Sequence, residues 1–274
     1  MVSYKIPSLR EVIELNSENN RYKIEIELIL QRVLKCKKID IYLNKDLILD
    51  EEKNQIINDY IKQLKKGKPI QYILNNAPFF GRNFFVDKNV LIPRFDTELI
   101  IDILLKQSPC NSLLEIGTGS GNIAITIAEE NLAKYILATD ICGKKISIAK
   151  HNKKKLSPQS NIEFILDDFF NTNINQKFDV IVSNPPYIPK FEINNLNKLV
   201  RMNEPLDSLT DGDDGYSFYK HFALCGKIFL NKNGFMLLEI GINNKLNKLY
   251  EIFSDFSLEI FKDLNEIPRV LKVF

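Results

Sequence analysis

Between residues 113 and 183 the chain alternates short apolar runs with longer helix-like stretches. The apolar runs are Leu113–Ile116, Tyr135–Thr139, Ile162–Leu166 and Val180–Val182, and the helical stretches between them include Ile123–Ala128 and Lys144–His151. Strand-sized apolar runs separated by helices are typical of βαβ units, in which consecutive strands lie parallel and helices cover both faces of the sheet. This pattern predicts an α/β domain with a mostly parallel sheet.

The region before residue 68 has the pattern of a small helical bundle. Ser8–Glu11 has the Ser-x-x-Glu form of a capping box, so a helix should begin there. Residues 20–34 carry a wide apolar stripe, and a later helix that contains Ile56–Leu64 should end at Gly67. Two interpretations remain open for this bundle: a stabilising appendage, or a docking module for a macromolecular substrate.

An aromatic-rich segment lies between Pro69 and Arg94. Its apolar residues flank Gly81, Arg82 and Asn83, which predicts a β-hairpin with those three residues as the turn. The expected parts are a helical N-terminal domain at 1–68, a β-hairpin linker at 69–94 and the α/β domain at 95–274.

Composition narrows the classes of protein that this chain can belong to. Hydrophobic residues make up 45% of its 274 residues and the formal net charge is only +2, which fits a globular protein and does not favour nucleic acid as a partner. The four cysteines and two histidines form no zinc-binding pattern, so no metal is expected. The charged N-terminus, MVSYKIPSLREVIEL, lacks the apolar core of a signal peptide. We therefore expect a cytoplasmic monomer with no membrane contact.

Three glycines follow the first strand of the α/β domain. The segment LLEIGTGSGNIAI places Gly117, Gly119 and Gly121 where a strand turns into a helix. Glycine lets the backbone approach a ligand closely, and the start of the helix adds unpaired amides. The spacing matches neither the dinucleotide fingerprint nor a P-loop, so a nucleotide-like ligand without a pyrophosphate fits better. The alternative is that the glycines only allow tight packing.

Two acidic residues follow the next two strands. Asp140 lies where a carboxylate can bind ribose hydroxyls, and Asp168 with Phe169 offers an acceptor for an adenine amine beside an aromatic ring. Either aspartate alone could be a helix cap. Together with the glycine turn, at the edge where open α/β sheets bind ligands, they favour S-adenosylmethionine. Glu115, on the first strand, could balance the ammonium group of that cofactor.

The fourth strand ends in IVSNPPYIP, a stiff corner. The proline that follows Asn184 favours an extended backbone there, so the asparagine side chain can point into a site. If the side-chain oxygen of Asn184 and the carbonyl of Pro185 bind an NH₂ group, both of its hydrogens are in hydrogen bonds. The ring of Tyr187 could then supply a flat apolar surface, or wall, against a planar substrate. A sulfonium already carries an activated methyl group, so positioning and electrostatics can supply most of the acceleration. A rigid turn without function is the alternative.

The sequence here resembles a known family. The Asn-Pro-Pro-Tyr corner and the Glu-x-Gly-x-Gly-x-Gly turn resemble those of class I methyltransferases that modify planar NH₂ groups. Two further stretches, GKPIQYILNNAPFFGRNFFVDKNVLIPRFDTELI and RMNEPLDSLTDGDDGYSFY, are similar to the release-factor glutamine methyltransferase family, PrmC/HemK. The chain departs from the family pattern at Phe95, where proline is common, and at Glu115, where aspartate is usual.

The resemblance implies a Rossmann-like class I methyltransferase sheet with an antiparallel last strand, joined by a β-hairpin to a small all-α N-terminal bundle that contacts the release factor. It implies methyl transfer from S-adenosylmethionine to the glutamine amide of the Gly-Gly-Gln motif in peptide-chain release factors. The residues expected to hold the cofactor are Glu115, Gly117, Thr118, Gly119, Ser120, Gly121, Asp140, Ile141, Asp168, Phe169 and Asn184. Those expected to hold the substrate are Asn184, Pro185, Pro186, Tyr187, Ile92 and Arg94, with Asn184 and Pro185 as the catalytic pair.

Three alternatives stay open at this point. The enzyme could methylate an exocyclic amine of adenine or guanine in nucleic acid, although such proteins generally carry a strongly basic groove. The chain could also be a catalytically inactive binding module. Arg94, for its part, could serve only as an ion-pair partner of Asp96 or Glu98.

Overall fold

The computed structural model describes residues 8–16 and 22–274, and the chain divides into two compact units, Met1–Asn75 and Asn76–Phe274. The described helices of the first unit are α1 (Leu9–Asn16), α2 (Lys23–Leu34), α3 (Lys38–Leu43), α4 (Glu51–Lys65) and α5 (Ile70–Leu74). Their apolar faces meet around buried side chains that include Ile26, Leu30 and Ile57. Residues 1–7, and the part of the predicted second helix at 20 and 21, lie outside the described residues.

The predicted start of the first helix, α1, and the predicted end of the later helix, α4, are confirmed. The backbone amide of Ser8 donates to Oε2 of Glu11 at 2.8 Å, and the amide of Glu11 donates to Oγ of Ser8 at 3.3 Å, so the capping box forms as α1 begins. Helix α4 ends at Lys65, and Gly67 follows it with a φ of 87°. A positive φ costs glycine little, which explains why the helix ends there.

The hairpin forms, but its turn differs from the prediction. Strand β1 (Ala77–Phe79) pairs with β2 (Arg82–Phe84), so Arg82 and Asn83 lie in a strand and the turn is Phe80–Gly81. Both turn residues have positive φ, 46° and 72°, as two-residue hairpin turns of the mirror-image types favour. The amide of Phe80 donates to Oε1 of Glu98 at 2.7 Å, which helps to hold the turn. The predicted linker at 69–94 includes α5 and this hairpin, and its boundaries stay predictions.

The second unit is built on a seven-stranded sheet in the order β5-β4-β3-β6-β7-β9-β8. The strands are β3 (Cys110–Ile116), β4 (Ala133–Asp140), β5 (Ile162–Leu166), β6 (Phe178–Ser183), β7 (Leu230–Glu239), β8 (Leu258–Lys262) and β9 (Pro268–Val273). Strands β3 to β7 pair in parallel, and β9 runs antiparallel between β7 and β8. The predictions of a mostly parallel sheet and of an antiparallel last strand are confirmed.

Helices cover both faces of this sheet. The helices that pack on it are α6 (Glu98–Leu105), α7 (Asn122–Glu129), α8 (Gly143–Leu156), α10 (Ser217–Phe229) and α11 (Leu246–Ile252). Another short helix, α9 (Lys198–Asn203), buries none of its residues. Alternate residues of a strand face opposite sides: Val180 and Val182 of β6 join the core that α6, α7 and α8 share, whereas Ile181 joins the core beside α10 and α11. In the described ranges no helix has the length and apolar composition of a membrane-spanning segment.

A buried asparagine connects the hairpin to the glycine turn. Asn152 of α8 accepts a hydrogen bond from the amide of Phe85 at 2.7 Å through Oδ1. Its Nδ2 donates to the carbonyls of Phe85 and Ser120, each at 2.9 Å. Because the side chain is fully buried, it is shielded from water and holds two loop backbones in place.

Replacing this residue should weaken the fold of the second unit. We expect Asn152→Ala to lower the free energy of unfolding by about 3 kcal/mol, since it leaves buried backbone groups without partners. Urea denaturation measures the change. The control is Asn161→Ala, which removes one exposed hydrogen bond, to the carbonyl of Lys134, and should change stability by less than about 0.5 kcal/mol. Equal effects of the two variants would contradict this account.

Candidate active site

The strand register brings the glycine turn and the proline corner together. Strand β3 has β4 on one side and β6 on the other. The strand order therefore reverses at β3, which makes this a topological switch point of the sheet. In this register Ile116 is the partner of Ser183, so Gly117 and Asn184 leave the sheet side by side. Open α/β sheets bind ligands in such a crevice, at the carboxyl ends of the strands.

A cavity occupies this crevice and collects most of the predicted site residues. Those that line it are Arg94, Gly117, Thr118, Gly119, Ser120, Asp140, Ile141, Asp168, Phe169, Asn184, Pro185 and Pro186. Four predicted residues do not line it: Ile92, Glu115, Gly121 and Tyr187. The functional roles of all sixteen residues stay predictions.

The three glycines serve two different purposes. Gly117 and Gly119 have φ values of 77° and 55°, and at either residue no described atom beyond the glycine and its two chain neighbours lies within 4 Å of the position that a Cβ would take. That space belongs to the cavity. At Gly121 a Cβ would lie 3.0 Å from Cδ1 of Ile125 and 3.2 Å from Cβ of Ala149, so this glycine allows α7 to pack against α8. The ligand interpretation therefore suits the first two glycines, and the packing interpretation suits the third.

Asp140 is tied to the glycine turn. Its Oδ2 accepts from the amide of Gly119, and its Oδ1 accepts from the amide of Cys142, both at 3.0 Å. Burial raises the pKa of this carboxyl, while Lys145 and the two amides act in the opposite direction. Each carboxylate oxygen can accept more than one hydrogen bond, so the group can brace the turn and still receive a ligand hydroxyl.

Asp168 forms the helix cap that the sequence left open as an alternative, and its role in binding a ligand stays a prediction. Its Oδ1 accepts from the amide of Phe170 at 3.1 Å and its Oδ2 accepts from Nδ2 of Asn171 at 2.7 Å, so it caps a short 3₁₀ helix, and it also lines the cavity. The ring of Phe169 lines the same cavity and packs 4.5 Å, centroid to centroid, from that of Phe222.

The neighbouring Asp167 was missed. It too lines the cavity, and its buried Oδ2 has no hydrogen-bond partner in the described part of the chain. A buried carboxylate oxygen without a partner is costly, which makes Asp167 a candidate to receive a ligand donor. The Asp-Asp pair at the strand end was the available signal, but the sequence alone does not say that both adjacent aspartates line the cavity.

At the proline corner, Nδ2 of Asn184 donates to Oγ1 of Thr97 at 3.1 Å. Within residues 8–16 and 22–274, neither Oδ1 of Asn184 nor the carbonyl of Pro185 accepts a hydrogen bond. Both residues line the cavity. Two acceptors are thus available beside the open side of the glycine turn.

The ring of Tyr187 is placed differently from the prediction of a flat wall. Its hydroxyl donates to Oε1 of Glu239 at 3.2 Å. The ring lies so close to Gly241 that a Cβ there would be 2.6 Å from Cδ2 of the ring. Burial next to Glu239 raises the pKa of Tyr187 well above its ordinary value, so its hydroxyl stays protonated. The tyrosine therefore supports the corner from behind the cavity lining.

Glu115 also lies behind the cavity lining. Its Oε2 accepts from the hydroxyl of Thr118 at 2.7 Å, and its Oε1 has no partner in the described ranges. Burial raises the pKa of this carboxyl to about 7. Through its hydrogen bond with Thr118, Glu115 stabilises the glycine turn.

Arg94 lines the cavity, and its ion pair differs from either predicted alternative. It pairs with the buried carboxylate of Glu204, whose Oε2 also accepts from the amide of Ile92 at 3.2 Å. Asp96 pairs instead with Arg269 at 3.2 Å, and Glu98 binds the hairpin turn. The expectation that Arg94 could pair with Asp96 or Glu98 is therefore wrong.

Further lining residues come from segments that the sequence analysis left without a role. Nζ of Lys145, at the start of α8, donates to Oγ of Ser208 at 2.7 Å and pairs with Asp207 at 3.0 Å. Thr97, Lys145, Asp207 and Ser208 all line the cavity. Thr97, Asp207 and Ser208 lie in the two stretches that resemble the family, but no role could be assigned to these residues or to Lys145 from the sequence, because each reaches the cavity only when distant loops converge.

Comparisons with known proteins agree with this architecture. Residues 9–74 match the PrmC N-terminal domain, and residues 94–202 match the methyltransferase small domain. A solved structure of a methyltransferase from Pyrococcus furiosus superposes with a TM-score of 0.54 at 19% identity, covering 79% of this chain and 98% of that one, which shows a shared fold.

Curated relatives are more similar in sequence. The release factor glutamine methyltransferase of Bacillus cereus is 34% identical over 265 residues, which is 93% of each chain. The protein of the same name from Clostridium acetobutylicum is 32% identical over 265 residues, 94% of this chain and 93% of its own. With identity above 30% along nearly the whole length of both proteins, this chain belongs to the release factor glutamine methyltransferase family.

Proposed function

We propose that this protein transfers a methyl group from S-adenosylmethionine to the side-chain amide nitrogen of the glutamine in the Gly-Gly-Gln motif of peptide-chain release factors. Family membership supports the proposal. The observation that carries it is the pair of available acceptors on Asn184 and Pro185, in the cavity that also contains Gly117 and Gly119.

The two acceptors suit a planar NH₂ group. One amide hydrogen would bind Oδ1 of Asn184 and the other the carbonyl of Pro185, which leaves the nitrogen facing the glycine turn. An amide nitrogen is a weak nucleophile because its lone pair is delocalised into the carbonyl. Acceptors that strengthen their hold as the nitrogen becomes positive lower the barrier, and a fixed geometry removes the entropy cost of alignment.

The residues present fit the proposed cofactor. Open space beside Gly117 and Gly119 can receive an adenosyl group, Asp140 can accept from ribose hydroxyls, and the ring of Phe169 offers an apolar face. The unpartnered oxygen of Asp167 is available to a ligand donor. When bound, S-adenosylmethionine would supply a methyl carbon activated by the adjacent sulfonium. S-adenosylhomocysteine would be the leaving group, and the methylated nitrogen would lose one of its hydrogens to water as a proton.

We also propose that the helical N-terminal domain, residues 1–68, docks the release factor. The match to the PrmC N-terminal domain supports this role. Helix α3 exposes the large apolar side chains of Ile39 and Leu43, four residues apart on one face, as a partner-binding surface would. The protein would act in the cytoplasm, where release factors are made. It would act as a monomer.

Mass spectrometry of a purified release factor tests the function. After incubation with the protein and S-adenosylmethionine, we expect one added methyl group on the motif glutamine and none on a release factor with that glutamine replaced by alanine. Duplex DNA and ribosomal RNA serve as parallel substrates. Methylation of a nucleic acid without methylation of the release factor would overturn the proposal in favour of a nucleic-acid enzyme, and no transfer to any of them would overturn it in favour of a binding module.

A further inference from the structure

A lysine is buried in the wall of the cavity. Lys145 lies in the first turn of α8, is 4% exposed and lines the cavity. Its Nζ donates to Oγ of Ser208 at 2.7 Å and pairs with Oδ2 of Asp207 at 3.0 Å. A buried ammonium group is stable only when it has partners of this kind. Both of these partners belong to one loop, so Lys145 keeps them only while that loop lies against α8.

The loop that contacts this lysine, residues 204–209, is also held at both ends. At one end Glu204 pairs with Arg94, and at the other end the carbonyl of Leu209 accepts from the amide of Ile188 at 3.0 Å. The middle of the loop is a single turn of 3₁₀ helix. Because the ends are fixed, the contact between the lysine and the middle decides whether the 204–209 loop stays against α8.

The ion pair of Lys145 and Asp207 separates two cavities. An outer pocket lies beside the start of α8. Its lining includes Lys88, Asn89, Gly143 and Pro205. Lys145 and Asp207 line this outer pocket and also the cavity that contains the glycine turn. The ion pair is therefore a partition, and when it opens the two spaces become continuous.

We propose that Lys145 is a positioning residue that holds the 204–209 loop closed over the cavity and so slows the release of bound S-adenosylmethionine. This inference rests on the proposed function, because it names the ligand that the closed loop would retain. Lys145 acts on the loop, through Asp207 and Ser208, and not on the reacting atoms.

The ion pair can open without leaving a charge buried. The side chain of Asp207 is 54% exposed, so water can solvate it once it is free. A lysine side chain is long and flexible, and its ammonium group can reach water when the loop lifts. The loop therefore has two accessible positions, a closed one with the ion pair formed and an open one with both charges hydrated.

Hydrogen exchange of the protein without ligand tests whether Lys145 holds the loop. The amides of Ser208 and Leu209 donate to the carbonyls of Pro205 and Leu206, each at 3.0 Å, so they exchange faster when the loop opens. In Lys145→Met, which keeps the stem and removes the charge, we expect these amides to exchange about 10-fold faster than in the wild type. Exchange at the wild-type rate would overturn the inference, whether or not a cofactor binds.

Lys144→Met is the matched control. Lys144 is the preceding residue of the same helix and is exposed, so the substitution removes the same charge and leaves the ion pair of Lys145 intact. We expect wild-type exchange and wild-type release of the cofactor. Equal changes in the two variants would show that net charge, and not the ion pair, is responsible, and would overturn the inference.

Release of radiolabelled S-adenosylmethionine, measured after addition of excess unlabelled cofactor, tests the effect on the ligand. We expect Lys145→Met to release it about 10-fold faster than the wild type, since lost contacts act mainly on dissociation. Ser208→Ala, which removes one contact and leaves the charge paired, should give a smaller increase. Asp207→Ala should speed release in the wild-type background and have no further effect in Lys145→Met.

The outcomes separate this inference from the proposed function. A Lys145→Met variant with the wild-type release rate would overturn the inference alone, as would additive effects of Lys145→Met and Asp207→Ala. A wild-type protein that binds no S-adenosylmethionine would overturn the proposed function, and this inference with it.

Discussion

Replacement of Asn184 by alanine is expected to lower the rate of methyl transfer by about 1000-fold, while the Kd for S-adenosylmethionine stays within about 3-fold of wild type. The reason is the position of Oδ1, which lies in the cavity without a protein partner in the described ranges and is the proposed acceptor for one amide hydrogen of the substrate. The proposed cofactor contacts lie mainly at the glycine turn and at Asp140, which the substitution leaves in place.

Single-turnover kinetics measures the rate of methyl transfer, and calorimetry measures the Kd for S-adenosylmethionine. The matched control is Asn195→Ala, an exposed asparagine in the segment after the proline corner, which should retain both turnover and cofactor binding. Loss of cofactor affinity in Asn184→Ala as large as its loss of turnover would contradict the division of labour between the corner and the glycine turn.

Gly215→Ala should be the most damaging substitution in the loop that supports the proline corner. Gly215 has a φ of 81°, and a Cβ there would lie 2.4 Å from the carbonyl oxygen of Tyr187 and 3.2 Å from Cδ of Pro189. Since these are parts of a stiff segment, the corner itself would have to move. We expect the free energy of unfolding to fall by about 3 kcal/mol and methyl transfer to fall by about 100-fold, because the acceptors of Asn184 and Pro185 would be displaced.

Gly212 offers a matched control in the same loop. Its φ is 82°, but no described atom beyond Gly212 and its two chain neighbours lies within 4 Å of its Cβ position. Gly212→Ala therefore isolates the strain of the left-handed backbone, which should cost about 1 kcal/mol and leave turnover near wild type. Urea denaturation and a methyl-transfer assay compare the variants. Similar losses in both would show that backbone strain, and not contact with the corner, causes the effect.

Features that depend on neighbouring residues could be predicted from the sequence. The capping box of Ser8 and Glu11 forms because its partners are three residues apart. Gly117 and Gly119 have positive φ because a strand turns sharply into a helix there. The apolar runs became strands of a mostly parallel sheet, and parallel strands place their carboxyl ends along one edge. That edge brought the glycine turn, Asp140 and the proline corner into one cavity.

The hairpin turn shows where local reasoning failed. Glycine and asparagine are the residues that positive φ favours, which is why the turn was assigned to Gly81–Asn83. Phe80 takes a positive φ instead, and its amide is bound by Glu98, which is 18 residues away in the chain. A tertiary contact outweighed the intrinsic preference of the residue.

By itself, the sequence determined the class of sheet, the glycine turn and the corner, because each follows from the periodicity of side chains or from bonds within a few residues. Only the tertiary structure decided that Arg94 pairs with Glu204, 110 residues away, and that Asn184 binds Thr97, 87 residues away. Several acidic residues were equally plausible partners for Arg94, and the choice depends on which loops converge. Hydrogen bonds act over about 3 Å, so partners distant in the chain cannot be identified until the fold brings their atoms together.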